Sequence, residues 1–289
     1  MGFSFAIDEL PLIFFTTLAP VGAVSLISLS IMMMLGCFEP STSKRICQLK
    51  WIPLVLATLG LILSAAHLGS PANALYVFTG IGRSPLSNEV ICTVLFLAFC
   101  GADWLLSFVE KNHKRTAKTL AICIVASGLL FMYAIMFAYD VDTITTWSSV
   151  YVPLNLLLGG IVGGIVLTQF VLILAMQGEV SNKIFKVLAA LTTCAFVLHC
   201  ICLILQCVQL TNVRNIYYGS AFDLVSVYPF AIVFYILAFI ALVIISRRSL
   251  RMPLKKRLIV RAVMCFLILL ALFFLRFCFY MMHTTIGLS

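Results

Sequence analysis

Charge is what this 289-residue chain has least of. Asp, Glu, Lys and Arg together make up 10% of it, against about a quarter in soluble domains, which excludes an ordinary water-facing surface. Phosphate-binding glycine loops, a GxSxG elbow and an HExxH pair are all missing, so the sequence carries none of the usual signatures of a self-sufficient nucleotide-, acyl- or zinc-dependent enzyme. No CxxC pair and no structural-zinc spacing occurs among its eleven cysteines. Nine of these lie inside apolar runs, where cysteine behaves as a small hydrophobe; Cys37 and Cys47 fall in a loop. Low-complexity segments and long-period repeats are absent as well.

What the sequence has instead is 63% hydrophobic residues. Since a membrane span takes about 20 apolar residues, this length accommodates eight helices with short connections and leaves no room for a soluble domain. The fold class read from this is all-α: a polytopic membrane protein with residues 1–289 forming one transmembrane helical bundle. Spans are expected at about Leu12 to Gly36, Ile52 to Leu68, Asn88 to Phe108, Leu120 to Tyr139, Val150 to Met176, Ile184 to Leu210, Leu224 to Ile245 and Leu258 to Met282. The first charges are Asp8 and Glu9, and the run after them is too long for a signal-peptide core, so it reads as a retained first span.

The odd-numbered loops hold Lys44, Arg45 and Lys50; then Lys111, Lys114, Arg115 and Lys118; then Lys183 and Lys186; then Arg247, Arg248, Arg251, Lys255, Lys256, Arg257 and Arg261. The even loops have only Arg83 and Arg214, beside Asp140, Asp142 and Asp223. The positive-inside rule makes the odd loops cytoplasmic and both termini external. This distribution also accounts for the net charge of +9 through topology and lipid headgroups rather than nucleic acid. Gly159, Gly160, Gly163 and Gly164 form overlapping small-xxx-small pairs suited to close helix approach.

Ionisable groups inside a membrane cost roughly 2.5–3.5 kcal/mol each on insertion scales and are functional candidates by default. His67 closes the second span about 25 Å along the helix from Lys50, at outer-face depth. Glu89 opens the third span at the same depth, after the turn-rich loop from Gly80 to Asn88. In the last span Arg276, Tyr280 and His283 share one helix face, again near the outer end. Singly, each has an ordinary explanation: His67 as a helix C-cap, Glu89 as a partner of the helix dipole, Arg276 as a snorkelling side chain. Together, acid, base and cation at one depth are what binding and deprotonating a hydroxylated ring requires.

His199, Gln206 and Gln209 in the sixth span read as interhelical hydrogen-bonding groups. Asp103 beside Trp104 reads as a residue at the cytoplasmic interface, served by water and an aromatic belt. Cys200 and Cys202 adjoin His199 but diverge by about 200° around the helix, which argues against a metal site. A bis-histidine haem would need two facing histidines, a relation that spacing alone does not establish.

The segments His67-Leu68-Gly69-Ser70-Pro71, Ile81-Gly82 and Ser84-Pro85-Leu86-Ser87-Asn88-Glu89 resemble the membrane anchor subunit of bacterial dimethyl sulfoxide reductase. The likeness continues through Asp142 to Pro153, centred on Thr146-Trp147-Ser148, and through Arg276, Phe279-Tyr280, His283-Thr284 and Gly287. It spans the whole sequence in topology and about a third of it in motif. The resemblance implies an eight-helix subunit of the bacterial inner membrane, both termini periplasmic, that holds no cofactor of its own. It implies menaquinol oxidation near the outer face, with electrons passing to an iron–sulfur subunit and then a molybdopterin catalytic subunit. Carried over residue by residue, the quinol-site groups are His67 and Glu89, with Ser70, Asn73, Arg83, Arg276, Tyr280 and His283 as supporting candidates. Family members often have arginine where this sequence has Asn73, and Arg83 is the nearby cation that would replace its charge.

Two other functions fit the same polar groups. A proton-coupled small-solute transporter would place charges within its spans, though it would typically interrupt matching helices in two halves, and Pro71 and Pro85 fall in a loop. An inert structural anchor would leave quinol binding to another subunit.

Overall fold

The computed structural model describes residues 2–66, 71–109, 114–177, 182–215, 219–249 and 252–283. Its helices are α1 (Gly2–Asp8), α2 (Leu10–Met34), α3 (Pro40–Leu49), α4 (Trp51–Ala66), α5 (Pro85–Leu106), α6 (Lys114–Ala138), α7 (Tyr151–Ala175), α8 (Asn182–Asn212), α9 (Tyr228–Ser249) and α10 (Leu254–Met281). Counting α3 and α4 as one continuous element from Pro40 to Ala66, eight helices among the described residues are long and apolar enough to cross a membrane. Helix is the form that satisfies every backbone group without water, which is why these apolar runs adopt it.

Two spans form the centre. About 78% of the apolar stretch of α2 and of α7 is buried, against 28–39% in the other six, whose outward faces carry exposed Leu, Ile, Val and Phe as a lipid-facing surface does. The glycine stripe of α7 explains how the central pair meets. A Cβ added at Gly163 would lie 2.6 Å from Val21 Cγ2, and one at Gly164 would lie 2.5 Å from Val24 Cβ. On the other side of α2, a Cβ at Gly22 would lie 2.6 Å from the Pro53 carbonyl oxygen of α4. Small residues thus bring α4, α2 and α7 close enough for dispersion to hold them, which is the main attraction between helices in lipid. Helices α5 and α6 pack as one pair, α9 and α10 as another, with α10 also against α2 and α7, and α8 against α7.

Several sequence expectations are corrected here. The first basic segment is not a loop: α3 begins at Pro40, after an extended Glu39, and runs almost directly into α4, so Cys47 is helical. Lys50 is not an exposed topogenic cation. It is 2% exposed, and its Nζ donates to Asp103 Oδ2 at 2.7 Å and to Ser30 Oγ at 3.1 Å. Asp103, 5% exposed, is therefore a buried partner and not a water-served interfacial residue. Pro85 lies in the first turn of α5, where its missing N–H costs nothing, and residues Pro71–Gly80 form a 3₁₀ helix. The bundle thus has two distinct ends: a Lys50 end, where most of the exposed cations gather, and a Glu89 end.

Candidate functional site

At the Glu89 end, the N-terminal turns of α2, α5, α7 and α9 meet the C-terminal turns of α6, α8 and α10. The approach to α5 is fixed by a tight turn. Gly82 takes φ +79°, a conformation side chains disfavour, and its N–H donates to Asn88 Oδ1 at 2.7 Å. The helix then starts at Pro85 and turns Glu89 inward.

Glu89 is 1% exposed. Among the described residues, neither of its carboxyl oxygens has a hydrogen-bond partner. The nearby Thr93 hydroxyl donates to the Glu89 backbone carbonyl at 2.7 Å, not to the side chain. A buried carboxyl left without a hydrogen bond is costly, and among the described residues nothing offsets that cost.

Arg276, on α10, is 8% exposed; it does not snorkel. Its Nε donates to Thr16 Oγ1 of α2 at 3.1 Å, and its Cζ lies 4.2 Å from the Phe279 ring centroid, 5.6 Å from Tyr139 and 5.7 Å from Tyr280. Aromatic faces attract a cation in this range, but they do not neutralise it, and Nη2 has no hydrogen-bond partner among the described residues. Glu89 and Arg276 form no close ion pair; among the described residues that contact is confined to Lys50 and Asp103. Pro20, inside α2, has no N–H to offer the Thr16 carbonyl one turn back.

Behind Arg276 a cavity of about 30 Å³ extends inward between Thr16, Asn155, His199, Gln206 and Tyr228. That is room for about two waters and no more. Gln206 Oε1 accepts from Asn155 Nδ2 at 2.7 Å and from the Tyr228 hydroxyl at 2.9 Å. His199 Nδ1 lies 3.1 Å from the Tyr235 hydroxyl, and Gln209 Oε1 accepts from Ser149 Oγ at 2.6 Å. Gln206 and His199 are interhelical hydrogen-bonding groups, as their positions suggested, whereas Gln209 bonds the segment before α7.

The segment before α7 closes this end. Thr146 Oγ1 donates to the Met282 carbonyl at 2.6 Å, and the Trp147 ring stacks on Phe279 at 4.6 Å and meets Tyr280 edge-on at 5.6 Å. His283 stacks on Phe5 of α1 at 4.1 Å and meets Trp147 edge-on at 5.3 Å. Partial burial holds the His283 imidazole below the usual histidine range.

Of the candidate residues, Arg276 and Tyr280 lie together, His283 lies at their margin through Trp147, and Glu89 is buried at the same end of the bundle. Arg83 is exposed on the turn ahead of α5. His67 and Ser70 lie outside the described residues, as does the side chain of Asn73. Residues that sequence reasoning passed over are Thr16, Tyr139, Asn155 and Tyr228. Tyr139 reads as an interfacial aromatic at a span end and Thr16 as a hydroxyl bonded back to its own helix, as it also is, to the Leu12 carbonyl at 2.8 Å. Nothing in their spacing points across to Arg276.

Fold and site together define a polytopic helical membrane subunit with buried, uncompensated polar groups clustered at one end. The sequence model of the DMSO reductase anchor subunit family (DmsC) matches residues 4–282. The protein belongs to that family. It is 28% identical over 208 residues to an anaerobic dimethyl sulfoxide reductase subunit of Escherichia coli (strain K12), the match covering 72% of this protein and 71% of that one. It is 31% identical to the like-named subunit of Haemophilus influenzae (strain ATCC 51907 / DSM 11121 / KW20 / Rd) over 175 residues, covering 59% and 61%. To the anaerobic dimethyl sulfoxide reductase subunit YnfH of Escherichia coli (strain K12) it is 29% identical over 212 residues, covering 72% and 71%.

Proposed function

We propose that this protein anchors a dimethyl sulfoxide reductase-type complex in the bacterial inner membrane and oxidises menaquinol at its Glu89 end. The observation that carries the reading is the pair of groups brought to that end: a buried carboxyl and a buried guanidinium nitrogen, both without a hydrogen-bond partner among the described residues. A hydroxylated aromatic ring complements both, as donor to Glu89 and, once deprotonated, as acceptor for Arg276.

The ring lies toward Glu89, because the cavity behind Arg276 is far smaller than a quinol. His67 accepts one hydroxyl proton and Glu89 accepts or relays the other. Arg276 stabilises the anionic ring while two electrons leave, so that quinol yields quinone, two protons and two electrons. The electrons pass to an iron–sulfur subunit docked over the segments before α5 and α7, and from it to a molybdopterin subunit that reduces an S- or N-oxide. With the cation-rich Lys50 end in the cytoplasm, both termini and the quinol site face the periplasm. Protons are then released on the side where they are used, and this step builds no membrane potential.

The test is the rate of quinol oxidation by membranes holding the assembled complex, wild type against His67→Ala, at matched subunit levels. A collapse of the quinol rate with dye-driven reductase activity retained supports the site. An unchanged quinol rate rejects it in favour of an inert anchor.

A further inference from the structure

A second recess lies at the opposite end of the bundle, far from Glu89. Helices α8 and α9 touch through side chains at mid-depth, where Phe196 stacks on Phe239 with ring centroids 3.7 Å apart. Toward the Lys50 end they leave between them a groove of about 720 Å³, within the range of small-molecule sites. Its walls are mostly apolar, formed by residues such as Val197, Leu198, Leu242 and Val243 with Gln169, Thr192 and Thr193 among them, and its mouth carries Lys186, Arg247 and Arg261.

Among the described residues these three cations have no acidic counterpart. No carboxylate lines the groove, and the close ion pair among the described residues is Lys50–Asp103, elsewhere in the bundle. Arg261 is nine-tenths buried and is held in place: its Nε donates to Ser249 Oγ and its Nη2 to the Ser246 carbonyl, both at 3.3 Å. Two bonds fix the fork, and a guanidinium has five N–H donors. Lys186 and Arg247 are exposed beside it. The arrangement is an apolar slot opening to lipid, with one buried, bonded cation and two exposed ones at headgroup depth.

We propose that the groove is a binding site for an anionic phospholipid of the phosphatidylglycerol class. One acyl tail lies along α8 and α9, and the phosphate sits between Lys186, Arg247 and Arg261. A basic pocket between spans selects acidic headgroups through this chemistry. An uncharged quinone ring would leave the three cations uncompensated, and a zwitterionic lipid would bring a further cation to them.

The test uses the assembled complex in nanodiscs of phosphatidylcholine and phosphatidylglycerol in equal parts. Either lipid carries a photoactivatable acyl tail in turn, and labelled peptides are mapped by mass spectrometry. Phosphatidylglycerol should label α8 and α9 around Val197, Leu198 and Val243 in preference to phosphatidylcholine. The Lys186→Gln/Arg247→Gln variant alters exposed residues only and should weaken that preference about 25-fold, from about fivefold per cation. Arg248→Gln, one residue from Arg247 but outside the groove lining, should leave it unchanged. Equal labelling by both lipids, an equal loss in Arg248→Gln, or displacement of the probe by a menaquinone analogue would each overturn the proposal.

Discussion

Replacing Glu89 by Gln separates chemistry from architecture unusually well. The carboxyl oxygens accept no hydrogen bond from the described residues, and Thr93 is tied to the Glu89 backbone rather than its side chain. The amide keeps the volume and helical character of the carboxyl, so no protein contact is lost. Stability is expected to stay within about 1 kcal/mol of wild type, a shift of roughly 2–4 °C at this size. Turnover should behave differently. Losing a positioned acid or base costs about 10²–10⁴-fold, or roughly 3–5 kcal/mol of barrier. The assay pairs quinol-driven with dye-driven reductase rates in the same membranes and adds thermal unfolding of the purified complex. A quinol-driven rate within about threefold of wild type would refute the role, since a positioned proton acceptor is worth far more. An equal fall in both rates would mean that Glu89 supports assembly instead.

Three further outcomes are expected. Asp103→Leu leaves the Lys50 ammonium buried without its carboxylate and should cost about 3–5 kcal/mol, whereas Lys50→Met/Asp103→Leu should recover most of that loss; a thiol-reactive unfolding assay on the eleven cysteines reads both, and a double variant no better than the single one would refute the pairing. Gly164→Ala drives a Cβ to 2.5 Å from Val24 Cβ and should destabilise by about 1–3 kcal/mol, while Gly101→Ala, whose Cβ would meet nothing within 4 Å, should be neutral or stabilising by up to about 1 kcal/mol in the same melts. His283 has a folded-state value below the ordinary one of about 6.5, so below that pH the unfolded state binds more protons; its contribution is present above about pH 6.5 and is lost as the pH falls toward the folded value. Trp147 fluorescence, which reports the ring beside His283, should therefore change on acidification below pH 6.5 in wild type and stay flat in His283→Phe.

The eight spans were legible because uninterrupted apolar length is a strong signal and lipid admits no other backbone form for it. The α7 glycines announced a close helix contact, and α2 provides it. What escaped sequence reading is partnership over long separations. Lys50 carries the charge and position of a topogenic loop residue, and only the approach of α5 reveals it as half of a buried pair. The α3 helix was hidden by its polar composition, although Glu39-Pro40 is an ordinary helix start. Glu89 was visible as an acid near that end, but its lack of a hydrogen-bond partner among the described residues was not. Arg276 reads as a snorkelling cation until Phe279, Tyr139 and Tyr280 are seen around it, drawn from two helices far apart in sequence.

The buried Lys50–Asp103 contact sets a condition on biosynthesis. The two residues are 53 positions apart, so the ammonium is delivered to the membrane before its carboxylate has been made. Until α5 arrives, Lys50 must wait at the aqueous boundary or draw water after it, and α3–α4 cannot settle to final depth. Polypeptides emerge N-terminal end first, which makes arrival of α5 the event that locks the early spans. A nascent bundle that lacks its third span therefore keeps a charge in contact with water, and the contact forms only when that span packs.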